Sequence, residues 1–275
     1  MKRLARMRLA RLGGTLVLIA LLAAVLGAIA TPYSPTQQDI RNLLRPPSPE
    51  HPLGTDELGR DTLTRVMVGA QASLEVGILA VGISLLVGSL LGLIAGYLRG
   101  PTDATLMRIM DGLLALPTLV LALAITAMLG PSLNNAMLAI GITGVPLFAR
   151  LVRGQVLSVR EQDFVHAARS LGAGHVRMIA RHILPNVMSP IVVQASLAMP
   201  SAILAEAGLS FLGLGVQPPT PSWGAMLNTA KGYLQQDAWL AVAPGTAIFL
   251  TVLGFNFLGD AIRDVLDPRL RRTAG

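Results

Sequence analysis

Six long apolar runs without a charged residue are the feature that most restricts the folds open to this chain. Each run is about as long as the 17–25 residues that a helix needs to cross the hydrocarbon core of a bilayer, at about 1.5 Å per residue. The sequence therefore predicts an all-α polytopic membrane protein with six transmembrane helices. The runs are residues 12–30, 76–98, 112–129, 133–149, 183–205 and 238–259.

Composition supports the same class and excludes several others. Charged residues make up 13% of the chain, about half of the roughly 25% found in soluble domains. The net charge of +7 raises the possibility of nucleic acid as a partner, but aromatic residues are only 4% of the chain. No soluble domain remains outside the spans to bind nucleic acid. Because the chain has no cysteine, disulfides, thiolate metal sites and cysteine nucleophiles are excluded.

The basic residues predict which side of the membrane each connecting segment faces. If both termini lie inside, the outer segments carry only Arg41, Arg45, Arg60, Arg65 and Lys231, and every other Lys and Arg lies inside. Inner loops of membrane proteins are enriched in Lys and Arg, so this orientation is favoured over the inverted one.

The first apolar run has two readings. Its basic flank and the sequence Ala28-Ile29-Ala30 resemble a signal peptide with its cleavage site. However, residues 12–30 exceed the usual apolar core of a signal peptide, which is about 7–15 residues long. A retained membrane anchor is therefore favoured.

Glycine and proline predict how the later spans pack and bend. Gly88, Gly92 and Gly96 fall four residues apart, so they line one helix face and allow a second helix to approach closely in lipid. Pro117 is expected to kink the third span. A short amphipathic helix is expected at residues 61–71, at the end of an external Pro-rich segment, residues 32–72.

Three polar residues near or within the spans are candidates for a substrate pathway or a gate, namely Glu206, Asn256 and Asp111. A carboxylate at membrane depth costs about 2.5–3.5 kcal/mol, so Glu206 should face protein or a watery cavity. It either lines the pathway or caps backbone N–H groups where its helix breaks. Asp111 either pairs with Arg108, one helical turn away, or contacts the basic loop described next.

A basic, histidine-containing loop separates the fourth and fifth runs. Two short helices are expected, at residues 162–171 and 175–184, with a hinge at Gly172-Ala173-Gly174, since glycine adopts turn conformations at no steric cost. Pro185 either closes the second helix or begins the next one. On its charge alone, the loop is an ordinary cytoplasmic loop of a membrane protein.

The same loop resembles the EAA loop of ABC importer permeases, whose pattern is E-A-A, three residues, G, nine residues and I-x-L-P. Ala167, Ala168, Gly172, Leu184 and Pro185 occupy matching places, whereas His166 stands at the Glu place and His182 at the Ile place. The resemblance implies a coupling loop, residues 153–186, that docks on a separate ATPase subunit.

Further motifs are similar to permeases that import dipeptides, oligopeptides and nickel. They are HPLGTD followed by GRD at residues 51–61, SLEVG at 73–77, FLGLG at 211–215, PSWG at 221–224 and DPRL at 267–270. Spacing alone gives the first motif no mechanism beyond an ion-paired turn, in which Arg60 meets Asp56 or Asp61. The resemblance implies the type I ABC importer permease fold.

The sequence offers no catalytic site. A P-loop requires G-x-x-x-x-G-K-[ST], and neither Lys2 nor Lys231 lies in that pattern. No metal-ligand spacing and no nucleophile–base pair is present, so an enzyme is not expected. The resemblance implies that ATP and Mg bind to partner ATPase subunits and that this chain holds no cofactor.

The leading hypothesis from the resemblance is a permease subunit that moves dipeptides or oligopeptides, nickel chelates or glutathione across the bacterial inner membrane. Its implied partners are a second homologous permease, two ABC ATPase subunits and an extracytoplasmic substrate-binding protein. The alternative is a self-sufficient secondary transporter driven by an ion gradient. The expected organisation is an inner tail with the first span (residues 1–31), the Pro-rich segment (32–72), a permease core (73–262) and a cytoplasmic tail (263–275).

Overall fold

The computed structural model describes the backbone of residues 2–266 and the side chains of residues 8–266. Most of the predicted cytoplasmic tail, including the DPRL motif, lies outside this range, and so do the side chains of Lys2, Arg3 and Arg6. The helices are α1 (Lys2–Ile29), α2 (Thr62–Leu98), α3 (Gly100–Leu114), α4 (Thr118–Leu129), α5 (Leu133–Val159), α6 (Asp163–Ser170), α7 (His175–Arg177), α8 (Leu184–Phe211), α9 (Trp223–Ala230) and α10 (Trp239–Leu266), with a 3₁₀ turn at Ile40–Asn42 and a π-helical turn at Met178–Ile183.

Five stretches of the described chain are helical, long and apolar enough to cross a membrane. The predicted third span is different, because its residues belong to α3 and α4, which meet at an angle of 89°. Pro117 immediately precedes α4; it lacks a backbone N–H and disfavours helical geometry in Leu116. The expected kink is therefore a complete break, and the sixth predicted crossing exists only as this bent pair. The five stretches are Arg8–Ile29, Thr62–Leu98, Leu133–Val159, His175–Phe211 and Trp239–Leu266.

Helix α2 is much longer than the predicted second span. It runs unbroken for 37 residues, so the separate amphipathic helix expected at residues 61–71 is wrong: those residues are the first turns of α2. At about 1.5 Å per residue the helix is roughly 55 Å long, well beyond a hydrocarbon core of about 30 Å. One end of α2 therefore extends beyond a hydrocarbon core of that thickness, and the Pro-rich segment leads into its first turn.

The glycine stripe of α2 packs directly on the backbone of α5, as the spacing predicted. A Cβ atom added to Gly92 would lie 2.3 Å from the carbonyl oxygen of Ala149, and one added to Gly88 would lie 2.6 Å from the carbonyl oxygen of Val145. No side chain larger than hydrogen fits at either position. Ser84 adds a hydrogen bond from its Oγ to the carbonyl oxygen of Gly141, at 2.7 Å.

Two boundaries around the coupling loop also differ from the prediction. The predicted helix at 175–184 and the predicted span at 183–205 form one helical stretch, which begins at His175, passes through the π-helical turn into α8 and ends at Phe211. Pro185 is the second residue of α8, directly after the π-helical turn, and the helical stretch continues through it. Helix α9, between the fifth and sixth predicted spans, was not predicted.

Helix α1 is packed into the bundle against α2 and α10. A Cβ atom on Gly13 would lie 2.9 Å from the carbonyl oxygen of Gly254, and one on Gly27 would lie 2.5 Å from that of Met67. The backbone of α1 thus closely approaches that of α10 at Gly13 and that of α2 at Gly27.

We expect Gly92→Ala to destabilise the protein by about 1–3 kcal/mol, because the added methyl group meets backbone that cannot move aside. Gly82→Ala is a matched control on the same helix, where an added Cβ meets no atom within 4 Å. Thermal unfolding of the purified protein in detergent should show a lower midpoint for Gly92→Ala only. Equal midpoints for the two variants would contradict the close contact between α2 and α5.

Candidate functional site: the coupling loop and its connections to the bundle

The hinge of the coupling loop is a regular helix ending. Gly172, at a φ of +79°, donates its N–H to the carbonyl oxygen of Arg169, while Ala173 donates to the carbonyl oxygen of Ala168. These two bonds form a Schellman motif, which places glycine in the left-handed region directly after the helix. The structure thus explains why the loop requires glycine at position 172.

An apolar cluster fixes the coupling loop to the bundle. Val165 and Ala168 of α6 are buried against Met178, Ile183 and the valines of α5. The three valines, Val152, Val156 and Val159, line one face of α5, since they are three or four residues apart. Helix α6 is therefore part of the folded bundle.

The outer surface of the coupling loop exposes apolar side chains that the sequence analysis did not single out. Leu171 is 88% exposed and Val176 is 82% exposed, on either side of the hinge, and Phe164 is 41% exposed. A signal was available, because these are apolar residues in an otherwise charged loop. Large exposed apolar side chains that lie close together are typical of a surface that binds another protein.

The predicted loop residues fall into two groups. His166, Ala167 and Gly172 are exposed beside Leu171, whereas Ala168 turns inward and packs in the apolar cluster. Of the three small residues that match the EAA pattern, Ala167 and Gly172 are therefore exposed and Ala168 is buried.

The remaining predicted loop residues lie where the loop enters α8. Leu184 and Pro185 are exposed, and His182 is half-buried with its ring centroid 6.5 Å from that of Phe164.

Glu206 is fully buried and joins three parts of the chain. Its carboxylate accepts hydrogen bonds from Ser73 of α2, at 3.0 Å, and from Ser210 on the next turn of α8, at 2.7 Å. Ser222, which caps α9, also interacts with it. Its helix does not break at this point, and its partners are hydroxyl groups, so the expected capping of free backbone N–H groups is wrong. Glu206 is therefore a buried carboxylate whose oxygens accept hydrogen bonds from neighbouring hydroxyl groups, and it is not exposed on the surface of the described chain.

Asp111 has a polar partner on another helix, and Asn256 has one on its own helix. Asp111 pairs with Arg150 of α5 at 2.5 Å, instead of with Arg108 or the coupling loop, as had been expected. A second pair, Asp103 with Arg153, is bidentate at 2.5 and 2.6 Å and also joins α3 to α5. Asn256 is exposed and donates to a carbonyl oxygen one turn earlier in its own helix.

The HPLGTD and GRD motifs form a polar cluster at the start of α2. Arg60 pairs with Asp56 at 2.6 Å, which confirms the ion-paired turn. Asp61 instead accepts from the backbone N–H of Thr64 at 2.7 Å, as the N-cap of α2, and contacts His51 Nδ1 at 2.9 Å. The motif thus fixes the Pro-rich segment onto α2.

One further carboxylate in this cluster is unusual. Glu57 pairs with Arg60 at 2.6 Å, yet burial, together with the adjacent Asp56 carboxylate, raises the pKa of Glu57 above its usual range. Within residues 8–266, no three His, Asp or Glu side chains lie close enough to hold a metal ion.

Two sequence families match the chain. Residues 88–272 match the family described as binding-protein-dependent transport system inner membrane component. Residues 1–47 match the N-terminal transmembrane domain of oligopeptide transport permease C.

Characterised relatives cover almost the whole chain. The dipeptide transport system permease protein DppC of Alkalihalophilus pseudofirmus is 46% identical over 270 residues, which is 98% of this chain and 89% of the relative. The di/tripeptide transport system permease protein DppC of Pseudomonas aeruginosa is 47% identical, over 96% of this chain and 89% of the relative. The glutathione transport system permease protein GsiD of Escherichia coli is 45% identical, over 98% of this chain and 89% of the relative.

Solved structures confirm the predicted fold. A chain of the MetNI methionine ABC transporter in inward-facing conformations superposes with a TM-score of 0.61 at 17% identity, covering 74% of this chain and 96% of that chain. A chain of an amino acid ABC transporter gives a TM-score of 0.56 at 19% identity, covering 76% of this chain and 94% of that chain. At such low identity these matches support the fold alone.

We expect the Ser73–Glu206 hydrogen bond to link the stability effects of its two partners. Ser73→Ala and Glu206→Ala should each lower the thermal midpoint, because each removes one partner of a buried hydrogen bond and leaves the other unsatisfied, which costs about 1–3 kcal/mol. The double variant should lose less than the sum of the two single losses, since the bond can be lost only once. Purely additive losses in detergent-purified protein would show that the two side chains act independently.

Proposed function

The chain belongs to the family of binding-protein-dependent transport system inner membrane components, and we propose that it is the permease subunit through which an ABC importer moves short peptides across the cytoplasmic membrane. The observation that carries this proposal is the coupling loop: a short, rigidly packed helix that exposes apolar side chains beside a glycine hinge. The names of the relatives favour di- and tripeptides, with glutathione as a chemically similar cargo. None of the three relatives named above is a nickel permease or an ion-coupled transporter.

The transport cycle would depend on other subunits. Two ABC ATPases would bind ATP and Mg, a second homologous permease would complete the pathway, and an extracytoplasmic binding protein would deliver the peptide. The distribution of Lys and Arg supports placing both termini and the coupling loop in the cytoplasm. The Pro-rich segment would then face the binding protein.

The contacts of the coupling loop suggest how ATPase closure would move the membrane-spanning helices. Leu171 and Val176 would fit an apolar groove on an ATPase, and the exposed Arg169, Arg177 and Arg181 would surround that contact. Closure of the ATPases on ATP would displace α6. Because α6 is packed on α5 and at the start of α8, those two helices would move with it, and the bundle would exchange outward-open and inward-open states.

We expect Leu171→Asp to abolish most ATPase binding while leaving the permease folded and inserted. Burying a leucine at an interface contributes about 1.5–3 kcal/mol, so its loss should weaken binding at least about tenfold. The measurement is mass spectrometry of proteins that co-purify with the tagged permease in mild detergent. This variant is cleaner than a change at Gly172, where any side chain would also strain the backbone at its positive φ.

Ile40→Asp is the matched control, because Ile40 is an 80% exposed apolar residue of the Pro-rich segment. It should leave recovery of the ATPases unchanged. Full ATPase recovery with Leu171→Asp would place the docking surface elsewhere. Absence of any ATPase from the native preparation in several detergents would contradict the proposed function itself.

A further inference from the structure

The end of α2 nearest the coupling loop is capped by a side chain from the loop. The last carbonyl groups of a helix have no partner within it. Arg160, the first residue after α5, donates from Nη1 to the carbonyl oxygen of Tyr97 at 2.8 Å and to that of Gly96 at 3.3 Å. Its side chain is only 15% exposed. A cation at this position also interacts favourably with the negative end of the helix dipole.

The place where Arg160 acts is also tightly packed. A Cβ atom added to Gly96 would lie 2.9 Å from Cβ of Val156, so α2 and α5 touch one turn before Arg160. Burial lowers the pKa of Arg160 below its usual range. The guanidinium group is thus largely shielded from water, and its hydrogen bonds to the two carbonyl groups of α2 replace hydrogen bonds to water.

Two further contacts join the same parts of the chain. The hydroxyl group of Tyr97 lies 2.7 Å from Nδ1 of His175, at the far side of the hinge. Arg99 pairs with Glu161 at 2.5 Å, but both side chains are about half exposed, and exposed ion pairs contribute little. Arg160 is therefore the best-shielded polar link between the coupling loop and α2.

The apolar cluster does not make this link by itself. Its fully buried members come from α5, α6, the π-helical turn and α8, while α2 contributes only the half-buried Leu85, Leu93 and Tyr97. The hydrogen bonds of Arg160 and His175 therefore connect the coupling loop directly to the end of α2, which the buried members of the cluster do not do.

We propose that Arg160 is a positioning residue that holds the coupling loop against the end of α2, so that a displacement of the loop displaces α2. Because α2 is continuous to Asp61, such a displacement reaches the Pro-rich segment at its other end without passing through any break in the helix. This role rests on the proposed function and extends it: docking of an ATPase on the loop would move α2, and α2 would carry that movement to the opposite side of the membrane. The positioning itself is a property of this chain alone and can be tested without partners.

The experiment uses pulsed electron paramagnetic resonance on the purified full chain in lipid nanodiscs. The chain has no cysteine, so spin labels can be introduced without removing native residues. One pair joins the coupling loop to the last turn of α2, the part that Arg160 contacts, through Leu171→Cys and Leu98→Cys; a second joins the loop to α5, through Leu171→Cys and Leu147→Cys. All three sites are at least 50% exposed.

We expect Arg160→Gln to broaden the loop–α2 distance distribution several-fold while the loop–α5 distribution stays narrow. Arg160→Lys, which keeps a donor for the carbonyl groups, should restore most of the narrow distribution. Arg177→Gln is the matched control, because Arg177 is an exposed basic residue of the same loop whose side chain makes no hydrogen bond or ion pair with residues 8–266.

Two results would overturn the proposal. If both distributions remain narrow in Arg160→Gln, the apolar cluster suffices and Arg160 has no positioning role. If both broaden equally, Arg160 supports only the general folding of the loop. In the assembled complex, Arg160→Gln should lower peptide uptake about tenfold with ATP hydrolysis retained; failure to recover any ATPase would count against the proposed function and leave the distance result standing.

Discussion

The close approach of α2 and α5 is the contact on which the rest of this bundle depends. In lipid there is little hydrophobic force between helices, so association relies on close packing and on hydrogen bonds. Gly88 and Gly92 allow the two backbones to touch, and Ser84 adds a hydrogen bond between the helices. Helix α5 in turn carries the valines that hold α6 and the arginines that hold α3. Both the coupling loop and the bent α3–α4 pair are thus positioned by this one contact.

Buried polar groups complete the arrangement at two levels of α2. Near its start, Asp61 caps the helix and Arg60 pairs with Asp56, so the Pro-rich segment is fixed to it. Three turns further on, Ser73 meets Glu206 of α8. Unpaired groups would be costly at both places. Helix α2 is therefore fixed at its start by ion pairs, in its middle by glycine and serine, and at its end by Arg160.

The sequence was informative where one local property decided the structure. Uncharged runs located the spans, four-residue spacing identified the packing face of α2, and Gly172 marked the end of α6. It was less informative where two local signals compete. The polar first turns of α2 concealed a continuous helix, and Pro117 was compatible with a kink as well as with the 89° break.

Contacts between distant parts of the chain could not be predicted at all. Arg160 and Tyr97, or Ser73 and Glu206, are brought together only by the packing of whole helices. Their side chains carry no local signal that would name the partner. The exposed Leu171 and Val176 are an intermediate case, since their apolar character was visible but their exposure depended on which face of the loop packs inward.

The glycine stripe of α2 also has a consequence for how the protein is made. Helices α3 and α4 are synthesised between α2 and α5, so the stripe leaves the ribosome before the helix that covers it exists. At about 5–20 residues per second, this interval lasts for seconds. During that interval the small-residue face of α2 is not covered by α5. Any other helix with small residues on one face would compete with α5 for this surface.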